Sequence, residues 1–277
     1  MYLDALRNRE RKASKVKDAS YDSIISEALS RWILYNPRSE ECKSVGIDSS
    51  WNKRVFQGLS LYVIDAVAIT STNKILAAAH EYDICDSARH ELLESKAMMM
   101  EARLAQKVLE KRNEDVDTIC IDGSLVSRLT SVTMEVAREM VRLYGKAIFI
   151  SKSSESRFQF STLGSKAGDI YYYSHATKSA AGFSKPILTH LRYTNAYEIY
   201  ARLRDGAPIL RIEVIGSTSE DEVKSLLDKL RYHSITGYPY CLKLAHNNCK
   251  ITNDDIDRLA SIFNLQLEYG ARDPLNE

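Results

Sequence analysis

The sequence predicts a mixed α/β chain, and three observations carry that prediction. Segments rich in β-branched and aromatic residues alternate with long stretches of good helix formers that contain no Gly or Pro. The first three strand-like segments are joined by connections short enough for an antiparallel meander, and a long helical segment separates them from the fourth. At 277 residues, 44% hydrophobic and 27% charged, the chain has ordinary globular composition and enough length to bury a substantial core.

The elements follow in order. Residues 2–18 and 20–35 read as two helices. In the second, Ile24, Ile25, Ala28, Leu29, Trp32 and Ile33 recur at helical spacing, and Pro37 closes it. A strand over 44–47 leads into Asp48, a second covers 59–69, and a third covers 74–80 after the turn-like Ser71-Thr72-Asn73. A long helix spans 87–112. A compact apolar strand over 116–121 ends in Asp122-Gly123-Ser124, and a helix over 124–144 is stopped by Gly145 before a strand over 146–150. Three antiparallel strands, a crossover helix and then parallel strands is the order of the ribonuclease H-like fold, a mixed sheet core with flanking helices. Further on, 170–173 and 209–215 read as strands and 220–232 as a helix. A Tyr/Pro-rich segment opening at Gly237 runs into an alternating Leu242-Lys243-Leu244 strand, and a last helix over 253–263 carries Asp254 and Asp255 in its first turn.

Bulk properties exclude several classes. No apolar run approaches the ~20 residues that span a bilayer; the best, over 59–70, is short and interrupted by Asp65. The first residues are charged and show no apolar signal region, so a soluble, unsecreted, cytoplasmic protein without membrane contact is expected. Cys42, Cys85, Cys120, Cys241 and Cys249 form no CxxC pair and read as reduced structural thiols. Cys241, His246 and Cys249 lack a fourth ligand for zinc. A net charge of +1 argues weakly against a nucleic-acid partner, but residues 7–17 hold Arg7, Arg9, Arg11, Lys12, Lys15 and Lys17 against Glu10 alone.

The chemistry concentrates on acids. Asp48 follows the apolar Val45-Gly46-Ile47 and Asp122 follows Ile119-Cys120-Ile121, each with a serine next or next but one. A carboxylate closing a buried strand is partly desolvated and requires a cation or hydrogen-bond donors. Set side by side, the two acids repel each other, and a divalent metal relieves that repulsion. Glu94 and Glu101 lie close to one face of the long helix, which Met98, Leu104 and Ala105 continue as a buried stripe; either acid can be the third ligand on spacing alone. His246 can serve as a metal ligand or a proton shuttle. Tyr171-Tyr172-Tyr173 suits base stacking or core packing equally.

At these residues the chain resembles the NurA nuclease family of archaea. The resemblance lies in Gly46-Ile47-Asp48-Ser49-Ser50, in Ile121-Asp122-Gly123-Ser124-Leu125 after the long helix, and in Gly237-Tyr238-Pro239-Tyr240 followed by Leu244-Ala245-His246. It implies one nuclease domain over 1–277, comprising a helical arm (1–40), a ribonuclease H-like core (41–165) and a C-terminal part (166–277) that completes the active site. It further implies a manganese-dependent DNA nuclease that degrades single- and double-stranded DNA 5′ to 3′ and cuts single strands internally. The partners implied are a second copy of the chain, in a homodimer, and a HerA-type hexameric ATPase translocase, in end resection for recombination. Among site residues, Asp48, Glu101, Asp122 and His246 become metal ligands, with Tyr238 at the site and Lys152 holding a phosphate. Two ions, Mn²⁺ or Mg²⁺, fit oxygen ligands plus an imidazole. In that scheme Asp48 bridges the ions, Glu101 and Asp122 complete the set, His246 sits on the ion nearer the nucleophile, and Tyr238 bonds the phosphate or stacks on a base. The chain departs from the family in being somewhat short and in placing Cys241 where another proline is frequent. A resolvase, an RNA–DNA hybrid nuclease and a non-catalytic DNA-binding subunit remain as alternatives.

Overall fold

The computed structural model describes residues 17, 19–111, 116–191 and 193–265. The helix expected over 2–18 and nearly all of the basic stretch over 7–17 lie outside those residues. The elements, in chain order, are α1 (Tyr21–Arg31), β1 (Trp32–Leu34), β2 (Ser44–Phe56), β3 (Leu59–Thr70), β4 (Ile75–Cys85), α2 (His90–Glu110), β5 (Thr118–Asp122), α3 (Leu125–Thr130), α4 (Met134–Tyr144) and β6 (Ile148–Ser151). Then follow α5 (Asp169–Ala176), β7 (Gly182–Ser184), β8 (Ile187–His190), β9 (Asn195–Arg202), β10 (Leu210–Ile215), α6 (Glu220–Tyr232), β11 (Ser234–Ile235), β12 (Tyr238–Pro239), α7 (Tyr240–Cys249) and α8 (Asn253–Ile262). The class is mixed α/β, as the sequence predicts. The chain divides into two compact units, one of residues 1–41 with 149–239 and the other of 42–148 with 240–277.

The second unit carries the ribonuclease H-like order. β2 and β3 pair antiparallel from Val45↔Thr70 to Phe56↔Leu59. Only Gln57 and Gly58 join them, and Gly58, the second of the two, takes a positive φ of 86°, the position at which a type II turn calls for glycine. β3 pairs antiparallel with β4, after a turn in which Asn73 sits at φ 66°. β5 runs parallel to β2, from Ser44↔Thr118 to Ile47↔Ile121, and α2 is the crossover that a parallel pair demands. On α2, Leu93, Ala97, Met100, Glu101, Leu104, Ala105 and Val108 form the buried face. Burying each of the large apolar side chains contributes about 1.5–3 kcal/mol; a glutamate among them needs partners. The helix expected over 124–144 is two helices, because the chain turns at Ser131–Thr133 and restarts at Met134. Thr252 and Asp255 form a reciprocal capping box on α8, whose Ile256 and Ala260 pack with Phe56 and Leu61.

Within this unit the Leu242-Lys243-Leu244 segment is a helix, not a strand. α7 buries Cys241, Leu242, Ala245 and Cys249, a spacing of three to four that outweighs the short alternation. Its approach to β2 is possible because Gly46 has no side chain: a Cβ there would lie 2.3 Å from the Cys241 carbonyl oxygen.

The first unit is built on α1, α5, α6 and a sheet in the order β1-β7-β9-β10-β6, with β8 also on β9. Ile24, Ala28, Trp32, Phe160, Tyr172, Tyr173, Tyr200 and Ile209 form its aromatic core. The 170–173 run, expected to be a strand, is the helix α5. Its Tyr172, Tyr173 and Ala176 are buried at helical spacing, so tertiary packing overrides aromatic β propensity and two of the three tyrosines serve the core. Arg211 joins the cross-strand acids Glu198 and Glu213, each 1% exposed.

Candidate metal centre

Asp122 is the last residue of β5, as expected. Asp48, expected at a strand end, instead lies inside β2, which runs on to Phe56. The sheet brings the two acids together. β2 and β5 pair as far as Ile47↔Ile121, so Asp48 and Asp122 are the next residues along neighbouring parallel strands. The Asp122-Gly123-Ser124 motif also has a local cause. Gly123 takes φ 101°, a conformation that side chains rarely adopt, and the Ser124 side chain then caps α3 by accepting the N–H of Ser127.

Successive residues of β2 address different helices, as pleating requires. Asp48 faces α7, where the imidazole Nδ1 of His246 lies 3.0 Å from its Oδ2. Ser49 faces α2, and its hydroxyl donates to Glu101 Oε1. One ligand atom from each of Asp48, Asp122 and His246 falls within 4.8 Å of the others. Two carboxylate oxygens and an imidazole nitrogen are a donor set suited to Mn²⁺ or Mg²⁺, and two adjacent carboxylates leave a charge that a cation relieves. The residues present therefore fit a divalent metal.

Electrostatics agree with crowded acids. Burial raises the pKa of Asp48, and neighbouring Asp122 adds to the rise, against the opposing pull of the Ser49 N–H and of His246. Glu101 is 2% exposed. Burial pushes its carboxyl up to about 7, opposed by Arg128 and the Ser49 hydroxyl. Arg128, in α3, donates Nη1 to Glu101 Oε2 and Nη2 to the Asp122 carbonyl oxygen. Burial works against the guanidinium charge, yet Glu101 and Tyr144 together outweigh it and raise the Arg128 pKa. Burial likewise drives the Cys249 thiol upward, with Asp48 and Glu101 adding to the effect; an unionised thiol is a poor metal ligand.

Of the two helical acids, Glu101 is enclosed with Ser49 and Arg128, whereas Glu94 is half-exposed and lies 3.5 Å from His90. Both line a cleft of about 310 Å³ with Asp48, Trp51, Met98, Ser124 and Arg128. Trp51 stands edge-on to His90, ring centroids 4.8 Å apart. The sequence reading missed Arg128; its only signal is its place one helical turn after Ser124. Tyr238 and Lys152 belong to the other unit. Tyr238 lies in β12, in a hairpin with β11, and the Lys152 ammonium stands 4.3 Å from its ring centroid, a cation–π contact.

Comparison with known proteins identifies related chains. A family model described as the NurA domain matches residues 42–251. The DNA double-strand break repair nuclease NurA of Saccharolobus solfataricus is 23% identical, over 92% of this chain and 90% of that protein. Its counterpart in Sulfolobus acidocaldarius is 25% identical, over 89% and 88%. Among solved structures, the NurA nuclease from Sulfolobus solfataricus superposes with a TM-score of 0.80 at 20% identity, covering 96% of each chain. A NurA bound to dAMP and manganese superposes with a TM-score of 0.69 at 11% identity, covering 99% of each; at such identities these two establish likeness of fold.

Proposed function

This chain belongs to the NurA family, whose model covers most of its length, and on that premise we propose that it is a manganese-dependent deoxyribonuclease of DNA end resection. In this reading it degrades single- and double-stranded DNA from 5′ ends, cuts single strands internally, and works in the cytoplasm as a homodimer with a HerA-type translocase. The observation that carries the proposal is the convergence of Asp48, Asp122 and His246, far apart in sequence, to within 4.8 Å. Among the described residues no helix is long and apolar enough to cross a membrane.

Asp48, Asp122 and His246 are the residues that would hold the metal, with Glu101 beside them as the acid available to a second ion. A bound divalent cation supplies charge for the phosphoryl oxygens and a more acidic water. The protein's own part is positional. The adjoining strands fix the two aspartates against their mutual repulsion, and the imidazole of His246 holds one oxygen of Asp48. The cleft beside them, with Trp51 and Met98 in its wall, offers an apolar surface to a nucleotide. Lys152 would hold a phosphate and Tyr238 a phosphate or a base.

The test uses the full chain with Mn²⁺ and end-labelled single strands and linear duplex, with four-way junction and RNA–DNA hybrid as comparators. Cleavage of the first two that stops on adding EDTA, and is lost in Asp48→Ala with the far-ultraviolet circular dichroism intact, is expected. A fully active Asp48→Ala removes this site from the chemistry, and preferential cutting of junction or hybrid replaces the proposed substrate.

A further inference from the structure

Both carboxylate oxygens of Glu101 are engaged. Oε1 accepts the Ser49 hydroxyl and Oε2 accepts the Arg128 guanidinium. The same guanidinium uses its other amino group on the Asp122 carbonyl oxygen, so one side chain ties α2 to the end of β5. The arrangement is enclosed: the side chains of Arg128 and Glu101 are 12% and 2% exposed. It also explains a second demand on Gly123, since a Cβ there would come within 3.3 Å of Arg128 Nη2. Asp48, Asp122 and His246 come together as possible metal ligands without Glu101.

We infer that Arg128 is a positioning residue that latches Glu101, so that the centre takes up its cations in two unequal steps. The inference rests on the metal-site reading above. The first step uses Asp48, Asp122 and His246 and leaves the latch closed. The second needs Glu101 as a ligand, and there the cation shares the carboxylate with the serine hydroxyl and with a buried guanidinium of like charge. The guanidinium is thus a built-in competitor for the second cation. A competitor of this kind holds the site half-loaded at low metal concentration. It also keeps a buried carboxylate paired when the second cation is absent, which a wholly unpartnered buried charge could not be without heavy cost.

The experiment is a Mn²⁺ titration of the full-length protein, following the free ion by its electron paramagnetic resonance signal, with cleavage measured alongside. The wild type is expected to show a tight step and a weaker one. Arg128→Gln, which can still donate to Glu101 but carries no charge, should tighten the weaker step roughly tenfold, within the usual range of coupled sites, while slowing cleavage. Arg128→Lys should restore the unequal steps. Ser49→Ala releases the other oxygen without touching the arginine and should tighten the weaker step by a smaller factor. It reads the same latch should Arg128→Gln fail to fold. A wild type that binds its ions in one class, or folded variants whose weaker step is unchanged or loosened, overturns the latch. A wild type that takes up no Mn²⁺ and cuts no DNA fails at the earlier stage, the metal site itself.

Discussion

Replacing Gly46 with alanine tests whether helix approach to β2 is what builds the site. The new Cβ would stand 2.3 Å from the Cys241 carbonyl oxygen, 2.4 Å from its carbon and 2.7 Å from the Leu242 nitrogen. All three are backbone atoms, which cannot swing aside as a side chain can. Ordinary van der Waals contact lies a little above 3.4 Å, so α7 must withdraw by about 1 Å. That carries His246 from 3.0 Å to about 4 Å from Asp48, outside hydrogen-bond range. Overpacking of this kind costs about 1–3 kcal/mol, worth a few degrees to ~10 °C in Tm for a chain of this size. A misplacement of about 1 Å in a catalytic constellation costs about 100-fold in rate. Thermal unfolding and Mn²⁺-dependent cleavage read the two effects separately. Gly58→Ala is the control: its φ of 86° makes alanine strained, but nothing lies within 4 Å of the added carbon, so stability should fall by about 1 kcal/mol with cleavage per folded molecule unchanged. A Gly46→Ala protein with wild-type Tm and rate would show that α7 does not owe its position to this glycine.

Two further outcomes follow from the other unit. Asp169 is fully buried, and burial, with Glu198 adding, raises its pKa from 3.8 to about 6 even though it accepts the backbone N–H groups of Gln159 and Phe160. The folded state therefore keeps a proton that the unfolded chain releases, so this residue's contribution is greatest below about pH 4 and is lost as pH rises to about 6, by up to about 3 kcal/mol. Urea unfolding of wild type and Asp169→Asn should show a stability difference that shifts in the variant's favour between pH 4.5 and 7; a difference that stays flat removes the assignment. If Lys152 holds a phosphate, Lys152→Ala should weaken single-strand binding and reduce the slope of log affinity against log salt by about 1, with Mn²⁺ binding untouched; an unchanged slope leaves Lys152 to its contact with Tyr238.

The parts of this fold that were legible in sequence are those where local pattern and tertiary role coincide. The apolar run of β3, the Gly- and Pro-free α2 and the Asp-Gly-Ser turn each state their structure locally. Where the two diverge, the reading failed. The sequence reading ends β2 at Ile47, before Asp48, yet pairing with β3 carries the strand on to Phe56. β9 went unread because its buried Glu198 looks like a surface residue; inside, it accepts hydrogen bonds from Arg211 on the neighbouring strand and from Gln159. The α7 segment showed three residues of alternation and hid the Cys241, Ala245, Cys249 spacing that buries it.

The site follows the same rule. Its aspartates were visible because each ends an apolar triplet, and in a parallel pair those triplets come into register. What no triplet can announce is how the acids are compensated. Glu101 is distinguished from Glu94 by burial and by two donors, one from β2 and one from α3. Arg128 looks in the sequence like any charged residue on a short helix. It becomes part of the centre because Gly123, which the turn already requires for its φ, also clears space beside the guanidinium. One glycine thus serves both the backbone and the charge balance. Any residue with a side chain at position 123 should accordingly disturb turn and latch together, whereas Arg128→Gln should disturb the latch while leaving the φ of Gly123 unstrained.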